Sequence, residues 1–385
     1  MNHDTLIQQL IHSGALDSPA LIAAFQAIPR DRFLPGFPPE VVFSDSAIFT
    51  LTDVDGEYIG GCDQPSQLAT RLKLAQLTSG QNVLEIGAGV GYSAAITQKM
   101  IGEGHITSLE INPQAAETAR NHLQSMTMGS DVNIVGIDAA GGYSVRASYD
   151  RIISGVAVWD IPAAWVRQLR PNGRIVTPIY LDGLQVCAAF AVQPDGSLYA
   201  DEVVTCANVP IQGTLAPPPQ FVHVGGGSAL RIYANFANQI DSVMLHLMFG
   251  MDNERCHLGT APSVDEYWNG FVPYLMLHEP DGYRFVCYSV GGDRKVYGLV
   301  GKGFGLISRG SATFVAPGDL GDTHCYGSAD AFVELADRFT QWDAAGRPTI
   351  HQMRLRLIPK GSAPTTTLGR IFDRQDHHLE AWLEV

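Results

Sequence analysis

The chain has 385 residues and a mass of 41.6 kDa, a length that predicts two domains of roughly 150–200 residues each. Hydrophobic residues make up 45% and charged residues 17%, the balance of a folded globular protein and not of a disordered chain. A formal charge of −14, from 25 Lys+Arg against 39 Asp+Glu, argues against a broad nucleic-acid or anionic-membrane surface, which depends on clustered cations.

A local basic patch built from Arg30, Arg32 and Arg71 is left open. The opening MNHDTLIQQLIHSG lacks a basic segment followed by an apolar run, and no stretch approaches the ~18 apolar residues of a membrane span, so a cytoplasmic protein is expected. Six cysteines occur without any Cys-x-x-Cys pair, which predicts free, mostly buried thiols and no disulfide framework.

Residues 4–12 and 19–28 place apolar side chains at helical spacing, and the second run begins with Ser-Pro. A further helix is predicted over 65–77. The pattern then alternates: strand 82–87, helix 91–100, strand 105–110, helix 113–124, strand 133–137, strand 150–154, helix 161–169, strand 174–179. Such alternation predicts an α/β fold, a mostly parallel doubly wound sheet whose ligands sit outside the carboxyl ends of the strands. After residue 212, three prolines (217–219) and three glycines (225–227) read as a linker. Beyond it, a helix near 234–248, strands at 283–289 and 295–299, a helix near 329–341 and a strand at 350–357 predict a smaller α+β module. The expected domains are therefore 1–212 and 213–385.

The strongest chemical signal is VLEIGAGVGYSAA, residues 83–95, where a strand ends on an acid and passes through three glycines into a helix. A dinucleotide fingerprint needs its third glycine at position 92, but Tyr92 stands there and the glycine is Gly91. Gly-x-Gly-x-Gly behind an acid suits the amino-acid end of S-adenosylmethionine, with Glu85, Gly87, Ala88, Gly89, Gly91 and Tyr92 as candidate cofactor residues. Glu110 closes the next strand, where an acid hydrogen-bonds ribose hydroxyls, and Ile111 follows it. Asp138, with Ala139, closes the third strand and is placed either to meet an adenine amino group or simply to cap a turn. Cys256-His257 and His324-Cys325 lack the usual spacing of metal ligands, so no metal is expected. His377-His378 sits among Asp, Arg and Glu and reads as a solvated surface feature.

At this point the chain resembles the protein-L-isoaspartate O-methyltransferase family. The resemblance rests on IPRDRFLPG (28–36), CDQPSQLATRL (62–72), VLEIGAGVGYSAA (83–95), GID (136–138), the segment 149–179 and VPIQG (209–213). It implies a Rossmann-like class I methyltransferase domain, the cofactor S-adenosylmethionine with S-adenosylhomocysteine as product, and a peptide or protein substrate bearing Asp or isoaspartate. The resemblance also implies a monomer or homodimer acting without nucleic acid or membrane. The repair enzymes carry a Thr-Ile-Ser-type segment where this chain has Gly61-Cys62-Asp63, and a carboxylate there repels a carboxylate substrate unless it is protonated or turned aside. The chain also runs about 170 residues past the usual end of the repair enzymes. In that it is similar to extended homologues that methylate an Asp side chain of ribosomally made peptides, including those associated with lanthipeptides and graspetides, the ester collapsing to aspartimide.

Peptide tailoring is therefore the leading expectation, with protein repair as the alternative and a non-catalytic binding protein as a third reading. The acceptor shell is expected from Tyr58, Asp63, Gln64 and Ser66, faced by Ile179. No general base is required, because a carboxylate of pKa near ~4 is already ionised at neutral pH.

Overall fold

The structure is a computed structural model describing residues 2–54, 56–226, 229–251, 253–318, 321–365 and 369–384. The chain forms two compact units. The first comprises Met1–Ile179, Cys187–Ala200 and Cys206–Ala216; the second comprises Tyr180–Val186, Asp201–Thr205 and Pro217–Val385.

The first unit opens with α1 (His3–His12) and α2 (Pro19–Ala27). Each starts where an oxygen-bearing side chain accepts an otherwise orphaned amide: Asn2 from Thr5, Ser18 from Leu21. Pro19 supplies a preset first helical residue. A short helix α3 (Pro39–Val42) leads to an antiparallel hairpin of β1 (Ile48–Thr52) and β2 (Tyr58–Cys62). Helix α4 (Pro65–Ala75) ends two residues before the sequence expectation, because Gln76 turns left-handed at φ 49°.

The alternating core follows as β3 (Asn82–Ile86), α5 (Tyr92–Ile101), β4 (His105–Glu110), α6 (Pro113–Ser125), β5 (Val132–Gly136), β6 (Tyr149–Ser154), α7 (Ala163–Gln168), β7 (Leu169–Tyr180) and β8 (Gln185–Val192). Within the unit the strands lie in the order β8-β7-β6-β3-β4-β5, and the pairs β3–β4, β3–β6, β4–β5 and β6–β7 are parallel. The order reverses direction between β3 and β6, which places the ligand crevice beyond their carboxyl ends. β3 and β4 are buried almost throughout, and their inner polar residues Glu85 and Ser108 satisfy each other by a hydrogen bond.

Short strands β9 (Leu198–Ala200) and β10 (Val203–Cys206) precede the bulk of the second unit. That unit contains β11 (Phe221–Val224), β12 (Leu230–Tyr233), α8 (Ser242–Phe249), β13 (Asn253–His257), α9 (Val264–Glu266), α10 (Val272–Leu277), β14 (Arg284–Val290), β15 (Lys302–Ile307), β16 (Ser311–Val315), β17 (Asp322–Gly327) and α11 (Asp330–Ala344). It closes with β18 (Met353–Pro359), β19 (Arg370–Asp373) and β20 (His377–Leu383). Seven strands form an antiparallel sheet in the order β11-β12-β14-β15-β16-β17-β13, and β18, β20 and β19 pair antiparallel in a separate ladder. Leu230, Ile232, Val286, Phe314 and Tyr326 of the larger sheet pack with Leu245 and Phe249 of α8.

Several expectations differ from this arrangement. Part of the expected linker is a strand, β11, paired along its length with β12. The expected helix at 234–248 forms only from Ser242, where Asp241 caps the amide of Met244. The expected strand at 295–299 is a turn closed by a bridge between Val296 and Leu299. His377 is not a solvated surface residue: it lies on β20 and is 6% exposed, while His378 pairs with Asp373 at 3.2 Å.

All six cysteines are free. Among the described residues no His, Cys, Asp and Glu group forms a metal-binding cluster, and no helix is long and apolar enough to cross a membrane.

Candidate active site

The turn after β3 needs glycine at three points. Gly87, Gly89 and Gly91 have φ of +86°, +52° and +91°, a region costly to residues carrying a Cβ. The amides of Gly87 and Ala88 donate to the carbonyl of Leu109, tying the turn to the end of β4. Glu110 completes the attachment: its Oε2 accepts from the Gly89 amide at 3.0 Å and its Oε1 from the Asn112 amide at 2.9 Å. Burial pushes the Glu110 carboxyl up from its ordinary pKa, against these backbone hydrogen bonds. The backbone amides of Ile111 and Ala88 also face this carboxylate and pull its pKa down.

A cavity opens at this turn. Gly87, Ala88, Gly89 and Glu110 border it, and Tyr92 does so at the start of α5, its ring buried against Phe25 and Phe33. Ile111 and Ile137, 38% and 37% exposed, and Ala139 add an apolar patch to the lining. The remaining candidates from the glycine motif lie elsewhere. Gly91 does not border the cavity, and a Cβ on it would meet Ala119 at 3.3 Å. Asp138 does not border it either: its Oδ1 caps the Ala140 amide at 2.8 Å and its Oδ2 accepts from the amide and hydroxyl of Thr214, both at 2.8 Å. Burial, the largest single influence, pushes its carboxyl up, but the bonds from Thr214 and Ala140 together hold it below the ordinary range. The turn-cap alternative describes that geometry.

Glu85 also stands away from the cavity lining. It is 2% exposed, and Ser108 Oγ donates to its Oε2 at 2.5 Å. Burial raises its pKa to about 7, although hydrogen bonds from Ser108 and Ser93 and the charge of Arg71 pull it down. Because the folded value lies above the ordinary 4.5, the protonated form is favoured by folding. This group's stability contribution is complete below about 4.5 and is lost as pH rises through about 7. Glu85→Gln is expected to flatten that part of the profile. Urea unfolding at pH 5 and pH 8 checks it, and an unchanged difference between the two pH values would rule out Glu85 as the titrating group.

On the acceptor side, Asp63 and Gln64 border the cavity, whereas Tyr58, Ser66 and Ile179 do not. Tyr58 is 55% exposed and stacks on Phe49, itself a lining residue, at 4.3 Å. The hydroxyl of Ser66 accepts from Gln64 Nε2 at 3.0 Å, while its amide is capped by Asp45 at 2.9 Å. Ile179 is fully buried.

The basic patch left open by the sequence does not form, because Arg30 and Arg71 are 0% and 2% exposed. Arg71 Nη2 pairs with Asp63 Oδ2 at 2.5 Å. Arg30 donates to four carbonyls, those of Val42 (2.9 Å), Ser44 (3.0 Å), Ser46 (2.8 Å) and Asp63 (2.7 Å). Two buried cations therefore fix the wall that carries Asp63.

Residue-by-residue reasoning missed the opposite wall, made by Asn208 and the segment 209–212 together with Val156. The amide of Ala157 donates to Val209 and that of Ile211 to Ala157, both at 2.9 Å. Asn208 Nδ2 donates to the Gly155 carbonyl at 3.1 Å. The only signal available was the VPIQG resemblance.

A doubly wound sheet with a glycine turn, and an acid closing the next strand, define a class I methyltransferase that uses S-adenosylmethionine. The model of the protein-L-isoaspartate(D-aspartate) O-methyltransferase family matches residues 1–216. The chain belongs to that family and is an S-adenosylmethionine-dependent carboxyl O-methyltransferase.

Among curated relatives, the protein-L-isoaspartate O-methyltransferase of Hyperthermus butylicus is 31% identical over 216 residues, covering 54% of this chain and 87% of the relative. That of Ignicoccus hospitalis is 32% identical over 193 residues, covering 50% and 88%. A solved protein-L-isoaspartate O-methyltransferase superposes with a TM-score of 0.52 at 22% identity, covering 92% of this chain and 96% of its own, a likeness of fold. These comparisons favour the isoaspartyl alternative over the peptide-tailoring expectation.

Proposed function

We propose that this chain methylates the free carboxylate of isoaspartyl residues in proteins and peptides. In this reading S-adenosylmethionine lies along the glycine turn, its ribose hydroxyls donate to Glu110, and its adenine covers Ile111 and Ile137. The exposed apolar pair fits a flat heterocycle, and an acceptor-only carboxylate on the cavity lining fits the donors of a diol.

The observation that carries the acceptor assignment is the Asp63–Arg71 pair. Asp63 looked unfavourable to a carboxylate substrate, but its charge faces a buried guanidinium and is locally neutralised. The departure at position 63 therefore no longer separates this chain from isoaspartyl chemistry. The acceptor carboxylate arrives ionised. What remains for the protein is to align it with the sulfonium methyl and to exclude water, through the 61–64 wall on one side and 208–212 on the other.

Incubation with labelled S-adenosylmethionine and a matched pair of peptides, one isoaspartyl and one aspartyl, tests the reading. The label is expected in the isoaspartyl peptide alone. Asp63→Ala is expected to lower that rate by about 10–100-fold through misplacement of the acceptor wall, with cofactor affinity by calorimetry nearly unchanged.

Peptide tailoring is kept as the second reading on the strength of the segment beyond residue 216, which the family model does not match. It would be favoured by inert isoaspartyl peptides together with an ester (+14) or aspartimide (−18) mass change in a co-expressed precursor.

A further inference from the structure

The second unit contains a cavity of its own, of about 360 Å³, lined by Asp182, Asn235, Phe236, Glu279, Arg284 and Arg370 among others. Three acids line it and each is already committed, Asp373 to Lys360. Asp182, 1% exposed, accepts from the Asn235 amide at 2.7 Å and from Arg370 Nη2 at 2.7 Å. Glu279 accepts from the Phe285 amide at 2.7 Å and from Arg370 at 3.1 Å. Arg370 spends Nη1 on the carbonyl of Met276 at 3.0 Å.

Two groups are not committed in this way. Arg284 gives Nη2 to the Asn235 carbonyl and its charge acts on Glu279, but among the described residues no carboxylate hydrogen-bonds its guanidinium. Asn235 is 6% exposed, and its side-chain Oδ1 is buried without a partner. A buried amide left unsatisfied is costly, and native proteins rarely tolerate one without a role. The next residue, Phe236, is held at φ +49° with its side chain 40% exposed at the cavity. A bulky residue in that conformation is strained, and such strain gathers at ligand sites.

We infer that this cavity binds an acidic segment of a polypeptide, with a Glu or Asp carboxylate on Arg284 and a neighbouring peptide bond on the Asn235 amide. A side-chain amide is both donor and acceptor, so either of its ends finds a complement in a peptide bond. Arginine matches a carboxylate through parallel charge-assisted bonds, and Phe236 and Tyr283 supply apolar surface for the intervening carbons. The chain's charge of −14 opposes anionic partners at long range, so recognition here depends on short-range geometry.

Fluorescence anisotropy of a labelled, amidated (Gly-Glu)₃ peptide against the full-length protein tests the inference, with (Gly-Gln)₃ as control. This peptide contains no Asp or isoaspartate for the methyl-transfer site to act on. Saturable binding of the Glu peptide is expected, at least ~10-fold weaker for the Gln peptide and for Arg284→Gln and Asn235→Ala, with S-adenosylmethionine affinity by calorimetry unchanged in both variants. Equal binding of the two peptides, or no saturable binding, overturns the inference whatever the variants do. So does undiminished binding by both variants. Displacement by free glutamate as effectively as by unlabelled peptide identifies an amino-acid site instead and overturns it too. None of these outcomes depends on whether isoaspartate is the methyl acceptor.

Discussion

Replacing Gly89 by valine is expected to lower S-adenosylmethionine affinity by more than about 100-fold. Two effects combine. The backbone sits at φ +52°, where a β-branched residue is strained by about 1–3 kcal/mol. A Cβ built there would also lie 2.4 Å from the Gly61 carbonyl oxygen. The obstruction is thus the chain's own hairpin, with any ligand a secondary matter, and relieving it must move either the turn or the acceptor wall. Gly80→Val is the control: its φ is +81°, but nothing lies within 4 Å of the added carbon, so it carries backbone strain alone. Titration calorimetry on both variants reads the difference. Wild-type affinity in Gly89→Val would remove the turn from the cofactor site.

Replacing Arg30 by leucine is expected to destabilise the protein by about 3–5 kcal/mol, the range for stripping a partner from a buried, hydrogen-bonded charge network. Leucine fills part of the volume but leaves the carbonyls of Val42, Ser44, Ser46 and Asp63 without their donor. Chemical denaturation measures the loss. A change below about 1 kcal/mol would mean that water replaces the guanidinium at little cost. Lysine at this position should recover only part of the stability, since one ammonium cannot reproduce a planar fork reaching four acceptors.

The first unit was readable because its information is local. Strand and helix alternate within a few residues of each other, and the acid–glycine turn at 85–91 carries its own structural context. Glu110 then follows from where the next strand must end. The second unit's information is spread out. β13 pairs with β17, Cys256 lying opposite Thr323, and nothing in either short segment announces the other. β16 is buried on both faces, so it lacks the alternation that marks a half-exposed strand.

Flanking prolines and glycines hid β11, since punctuation residues outweighed the five residues between them. Arg30, Arg71 and His377 were misplaced for one shared reason. A polar side chain is read as exposed unless its partner is known, and their surroundings come from other parts of the fold: four carbonyls up to residue 63, the carboxylate of Asp63, and the inner side of β20. At the candidate site, Asp63 was singled out as a departure, but its meaning depended on its pairing with Arg71, eight residues further on within the following helix.

The two walls of the cofactor cavity differ in stiffness. The 61–64 side is held by buried cations, and opening it would strand charge. The 208–214 side is held by five neutral or singly charge-assisted bonds, from Ala157 to Val209, from Ile211 to Ala157, from Asn208 to Gly155 and two from Thr214 to Asp138. At a net ~1 kcal/mol each, breaking these bonds costs roughly 5 kcal/mol, which leaves them open together in only a few of every ten thousand molecules at any instant. In the proposed reading, exchange of spent for fresh cofactor is therefore expected through the 208–214 side, while the 61–64 side keeps its buried ion pair closed.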